Sequence, residues 1–343
     1  MKSLLKLSLL AAFVVVLPAA NAQSDKPTAA KMTAAASTFL NSLTPELKAK
    51  ASFKFDDAHR TTWFFTPQQD KDKKPTRKGV RREELTRTQE EAAFALLKTG
   101  LSDAGFEQAR TIMENEEILH KHEGDKGTNV RSPGWYFFSI FGEPGAKGTW
   151  GWRLEGHHLS VNFTLKDGEV VGASPVLFGT NPAEFKDGPD KGKRTLANVE
   201  DVALDLIKSL SFMQVKEAMQ AKPFGEIKEK QATADVGEPV GISWDKLSDK
   251  QQAKLIKLVD AYATRLPADL ATAEKKRAVD TMNDKVHFAY FKDESKPGVP
   301  MTYRVYGNSC VIEFIKVQAD SMKNPANHIH SAWRRLPADF EVK

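Results

Sequence analysis

The stretch Gly148-Thr149-Trp150-Gly151-Trp152-Arg153-Leu154-Glu155-Gly156-His157-His158-Leu159-Ser160-Val161-Asn162-Phe163-Thr164 decides the fold class. It is rich in aromatic and β-branched residues and interrupted by glycine, so it reads as strands and not as helix. Working outward, Trp135–Phe141, Thr149–Gly156, His157–Lys166 and Glu169–Phe178 form a run of antiparallel strands, with Asp167-Gly168 as a hairpin turn. Upstream the period changes. Thr86-x-x-Gln89 is a capping box, which satisfies free backbone N–H groups at a helix start. A second helix fits Ser102–His120, with Phe106, Ala109, Ile112, Met113 and Ile118 on one side. Lys31–Leu43 is an Ala-rich helical segment.

The second half of the chain repeats this order. Ser248-x-x-Gln251 opens a helix, Ala268–Met282 is helical, and strands follow over Val286–Phe291, Met301–Tyr306 and Ser309–Lys316. Trp152-Arg153-Leu154-Glu155-Gly156 matches Tyr303-Arg304-Val305-Tyr306-Gly307, and Leu159–Phe163 matches Cys310–Phe314. Asn181-Pro182-Ala183 matches Asn324-Pro325-Ala326, and Ser211-x-x-Gln214 caps a connecting helical region. The expected fold is therefore α+β: two diverged units of helix pair plus antiparallel β-hairpins, packed as one body. The boundaries are a signal peptide at 1–22, an N-terminal Ala-rich segment at 23–43, a first unit at 44–195, and connecting helices with the second unit at 196–343.

Composition sets the broad class. The chain has 343 residues, 41% hydrophobic and 28% charged, which is an ordinary globular mix. Its single cysteine, Cys310, cannot form an internal disulfide, and its match to Leu159 marks a buried apolar position. Lys2 and Lys6, the apolar run Leu9–Leu17 and the small-residue pattern Ala20-Asn21-Ala22 read as an export signal cleaved near Ala22. The expected location is periplasmic or secreted. Loss of those two lysines lowers the formal net charge from +5 to +3, too little for a nucleic-acid partner without a concentrated basic face. The basic run Lys71–Arg82 contains proline and glycine and reads as a solvated loop. No later segment is long and apolar enough for a transmembrane helix, and no nucleotide-binding motif occurs.

The stretch quoted first resembles the family catalogued as domain of unknown function 3500. So do Trp63-Phe64-Phe65-Thr66-Pro67, Phe138-Ser139-Ile140-Phe141-Gly142 and Ala326-Asn327-His328-Ile329-His330-Ser331-Ala332-Trp333-Arg334. The resemblance runs from about Leu43 to Phe340, nearly the whole mature chain. It implies no activity, cofactor or catalytic residue. Members commonly carry an acidic residue after the last arginine of the final motif, where Arg335 stands here.

Four of the eight histidines fall into two clusters, His157-His158 and His328-x-His330. On an extended segment, His328 and His330 project from one face and can ligate one ion. Adjacent His157 and His158 would point to opposite faces of a strand, so only one of them is expected to join, with Glu155 as fourth ligand, orienting group or general base. Each unit holds histidines where its counterpart lacks them. Imidazole-rich ligation suits a zinc or copper ion. Arg153, Arg304 and Arg334 each stand beside an aromatic, Trp152, Tyr303 and Trp333, so these Arg and Trp residues form a candidate substrate-binding set for a small polar or anionic ligand. Two functions follow as expectations. One is an exported metal-dependent hydrolase with Glu155 activating a metal-bound water, or a redox enzyme if the metal is copper. The other is a non-catalytic exported protein that binds a metal or small ligand in a His/Arg/Trp pocket.

Overall fold

The structure, a computed structural model, describes residues 28–124 and 127–341. The export signal and residues 23–27 of the Ala-rich segment lie outside the described residues. In chain order the helices are α1 (Thr28–Ser42), α2 (Pro45–Ala51), α3 (Arg87–Gly100), α4 (Asp103–Glu123), α5 (Ala197–Lys208), α6 (Phe212–Ala218), α7 (Asp249–Ala263) and α8 (Ala268–Val279). The strands are β1 (Ser52–Phe53), β2 (Val80–Arg81), β3 (Phe137–Phe141), β4 (Thr149–Gly156), β5 (Leu159–Lys166), β6 (Glu169–Gly172), β7 (Val176–Thr180), β8 (Ile242–Ser243), β9 (His287–Lys292), β10 (Met301–Tyr306), β11 (Cys310–Gln318) and β12 (His328–Arg335). All twelve strands belong to one sheet, ordered β1-β3-β4-β5-β7-β12-β11-β10-β9-β8, with β2 on β3 and β6 on β5. The β1–β3 pair is parallel and the other pairs antiparallel, so the protein is α+β with a mixed sheet.

Local chemistry places the helix starts where the sequence predicts them. Thr86, Ser211 and Ser248 each stand at a helix N-cap, and their backbone amides donate the reciprocal bond to the side-chain oxygens of Gln89, Gln214 and Gln251. Two strand expectations are corrected. Glu169–Phe178 is not one strand but β6 and β7, divided before Pro175, a residue with no amide proton to give a ladder. His157 does not begin a strand; it and His158 form the turn between β4 and β5.

The sequence-matched stretches share a register. Trp152 pairs with Phe163 as Tyr303 pairs with Phe314, and Arg153 pairs with Asn162 as Arg304 pairs with Glu313. The third match does not continue this correspondence, because Asn181–Ala183 follows β7 whereas Asn324–Ala326 precedes β12. These two segments instead lie side by side, with the Ala183 amide donating to Asn327 O at 2.7 Å.

The helices cover one face of the sheet. There Trp152 stacks on Phe163 and Tyr303 on Phe314, with ring centroids 4.7 and 4.8 Å apart, cross-strand pairs that each add about 0.5–1.5 kcal/mol beyond area burial. Leu154, Val161, Phe178, Ile329 and Trp333 extend this core. The opposite face carries a smaller cluster, Leu177, Ile315 and Ala332 under Trp63, Phe65, Ile227 and Phe340. Its cover is irregular chain. The strap Trp63–Pro67 is held by the Phe64 amide on Glu155 Oε2 (2.9 Å) and the Phe65 amide on Glu229 Oε2 (2.8 Å). Both faces are therefore covered, and strand residues of either parity are buried.

Candidate metal centre

The two histidine clusters converge at the middle of the sheet, where β7 and β12 meet. His328 and His330 project from the strap-covered face of β12, with ring centroids 4.7 Å apart. His158 completes the group. Its ring lies 4.7 Å from His328 and 5.1 Å from His330, and its Nε2 is 2.8 Å from His328 Nε2. One ligand nitrogen from each of these three residues falls within 4.8 Å of the others. Three nitrogens bound to one tetrahedral zinc lie about 3.3 Å apart, so small rotations of the rings suffice to surround an ion.

His157 is drawn in as well. Its ring centroid is 3.6 Å from that of His158, and Glu116, His157 and His158 form a second group of possible ligands. Of this pair only His158 belongs to the group with His328 and His330, so the expectation that one of them joins is corrected in its reason alone. The strict up–down alternation belongs to strands, and these residues form a turn in which His158 adopts a φ of 62°. That left-handed conformation costs a non-glycine residue about 1–2 kcal/mol. The turn is held by the His158 amide on Phe65 O (2.9 Å) and by the Gly179 amide on His158 O (2.7 Å).

Three features of the site carry no local sequence signal. Glu226, in the connector before β8, lies 2.9 Å from His330 Nδ1. A carboxylate there fixes the tautomer and leaves Nε2 for an ion. Burial alone would raise Glu226, but the hydrogen bond and charge of His330, with the Ile227 amide, bring its carboxyl below the usual range. Glu116, from α4, contacts His157 Nδ1. The third is Gly179, the cross-strand partner of His330.

Electrostatics hold three of the four rings neutral. Burial first, and then neighbouring cations and rings, keeps His157, His158 and His328 well below the usual imidazole range. Burial also pushes Glu116 up to about 8. The Glu116–His157 contact is at ion-pair distance, yet both shifts favour the neutral forms. Neutral imidazoles are the form that binds metal.

The other sequence candidates lie elsewhere. Trp152 and Trp333 are in the helix-side core, on the sheet face away from the histidines, and are corrected from substrate contacts to core residues. Arg153 bonds the His59 ring and backbone, Arg304 bonds Glu313 and Val236 O, and Arg334 bonds Asp339 and the carbonyls of Lys228 and Gln231. Their guanidinium groups are committed within the protein. Glu155 is buried, holds the strap with one oxygen and leaves Oε1 without a hydrogen-bond partner. It belongs to neither ligand group. Arg335 pairs with Glu274 and Glu341. Cys310 is buried, and burial pushes its thiol up to about 12.

Two results are expected from this geometry. A Cβ at position 179 would meet Ile329 O at 2.9 Å and Cδ2 of both His158 and His330 at 3.1 Å. Gly179→Ala should therefore cost about 1–3 kcal/mol and weaken metal binding, read by denaturant unfolding and chelator competition. Unchanged affinity would show that ring placement does not depend on Gly179.

The second concerns acid. His59, lowered to about 3 by burial and then Arg153, joins His157, His158 and His328 as imidazoles kept neutral in the folded state. Their folded values lie below the unfolded 6.5, so their stabilisation is complete above that pH and is lost as pH falls below it. Glu116, raised in the folded state, acts in the opposite sense from about 4.5 to 8. Four imidazoles take up protons on unfolding, whereas Glu116, and Glu313 and Asp339 also raised by burial, release them, so the metal-free protein should lose about 1–4 kcal/mol per unit below pH 6. Stability that stays flat from pH 6.5 to 5.5 in the presence of chelator would contradict this.

Sheet, strap and cluster together define an α+β protein with a nearly enclosed group of histidines that could hold a metal ion. The chain belongs to the family described as Protein of unknown function (DUF3500), whose model matches residues 25–342. No curated protein and no solved structure matches it. No helix among the described residues is long and apolar enough to cross a membrane.

Proposed function

We propose that this is an exported metal-binding protein that holds one zinc or copper ion on His158, His328 and His330. The observation that carries the reading is the convergence of these rings from a turn and a strand 170 residues apart, with His158 and His328 Nε2 atoms 2.8 Å from each other. The carboxylate behind His330 supports it, as does a turn histidine kept in a costly backbone conformation. All-imidazole ligation by neutral rings favours zinc or copper over magnesium or calcium. Export rests on the short apolar stretch and small-residue pattern ending at Ala22.

Binding is favoured over hydrolysis by the position of Glu155. The carboxylate that sequence reasoning assigned to activating water anchors the Phe64 amide and lies 3.4 Å from Arg153 Nε. Glu155→Gln should consequently loosen the strap without removing the ion. The proposal is tested at Glu226. Replacing it with Gln removes the charge behind His330 and should lower zinc or copper affinity by about 10–100-fold, measured by competition with a chromogenic chelator. The same affinity in Glu226→Gln would remove this support from the site.

A further inference from the structure

The solvent-facing edge of the histidine cluster is formed by its less buried members, His157 and His328. One guanidinium reaches this edge. Arg131 places Nη1 3.2 Å from His157 Nδ1 and 3.4 Å from its Nε2. Its other side is fixed, because Nε and Nη2 form a fork onto the two Glu123 oxygens at 2.9 and 3.1 Å. The fork sets the orientation of the guanidinium plane and leaves Nη1 as the end directed at the site.

Charge makes this arrangement informative. A divalent ion on three neutral imidazoles brings two positive charges into a nearly closed site. Glu226 is the carboxylate bonded to a ligating ring, and its oxygens also serve the Ile227 amide and Gln318. Arg131 beside the ion is already paired with Glu123, and a buried dication favours an anionic fourth ligand in contact with it. Three protein ligands also leave a tetrahedral ion one open position.

We propose that the open metal position takes a small oxyanion, a carboxylate or phosphate group, held between the ion and Arg131 Nη1. This rests on the metal reading above and adds the class of ligand. Oxygen of the anion takes the fourth metal position, and a second oxygen accepts from the guanidinium. Arg131 is thus the anion-selecting residue, in place of the internally committed Arg153 and Arg334.

The test uses the full mature protein loaded with cobalt(II), whose visible spectrum reports changes in metal ligation. Wild type, Arg131→Gln and Arg131→Lys are titrated separately with acetate and inorganic phosphate, after metal content has been measured in each. The wild type should show saturable spectral change with at least one of the two anions, and the one that binds more tightly identifies the oxyanion class. Arg131→Gln should retain one equivalent of cobalt and bind the anion about tenfold or more weakly. Arg131→Lys, which keeps the charge but loses the fork, should fall between them. Equal metal content with equal anion affinity in wild type and Arg131→Gln would overturn the anion site while leaving the metal site standing. A spectrum insensitive to both anions in cobalt-loaded wild type would do the same. Failure of the wild type to bind cobalt, zinc or copper would remove both readings.

Discussion

Alanine at both His328 and His330 should reduce affinity for zinc or copper by at least about a thousandfold. Binding free energies of zinc sites are about 10–16 kcal/mol. If three ligands share this, each accounts for about 4 kcal/mol, which is about three decades of affinity. The double variant leaves His158 with no second imidazole from β12 and should retain almost no specific binding. The sheet should persist, because the β12 backbone still pairs with β7 and β11 through Ile329, Ser331 and Trp333. Competition with a chelator of known affinity gives the loss directly, and near-UV circular dichroism reports the fold. Affinity within tenfold of wild type in a folded double variant would show that β12 does not supply the ligands.

The second large effect is on stability, at a residue outside the histidine cluster. Arg334 and Asp339 form an ion pair in which both side chains are almost completely buried. Asp339 also accepts the Arg335 amide, and Arg334 packs over the Trp63 ring at 5.0 Å. Removing one member strands the other charge in a dry site, which typically costs about 3–5 kcal/mol. Asp339→Ala should therefore lower the midpoint of denaturant unfolding sharply, by about that amount, and loosen the cover around Trp63. Metal-loaded and metal-free protein should both show the loss. A change below about 1 kcal/mol would mean that water or another group compensates Arg334, and would return that arginine to consideration as a ligand-binding residue.

The two variants separate what the sequence displays from what it conceals. Helix starts at Thr86, Ser211 and Ser248 were legible because a cap and its glutamine are three residues apart and satisfy each other locally. The shared face of His328 and His330 was legible for a similar reason, since strand alternation needs no distant partner. How His157 and His158 contribute was not legible, because strand alternation does not apply across the turn they form. The partners of the arginines were hidden more deeply. Arg153 meets His59, 94 residues earlier, and Arg335 meets Glu274, 61 residues earlier. Nothing near an arginine in sequence distinguishes a guanidinium already paired inside the protein from one offered to a ligand.

The supporting residues of the site follow the same pattern. Glu116 comes from α4, Glu226 from the connector before β8, Gly179 from β7 and Arg131 from the segment after α4. The sheet order brings them together by placing β7 against β12, a pairing of strands from the two halves of the chain. Gly179 offers the clearest example. Its role is to have no side chain where two imidazoles pack, and that requirement exists only once His330 is known to be its cross-strand partner.

The most direct measurement is the metal content of the mature protein, exported without a histidine tag and purified without chelators. Elemental analysis of wild type should give close to one equivalent of zinc or copper, and the His328→Ala/His330→Ala variant prepared in parallel should give almost none. Folded wild-type protein that carries neither metal, and takes up neither on reconstitution, would contradict the account at its centre.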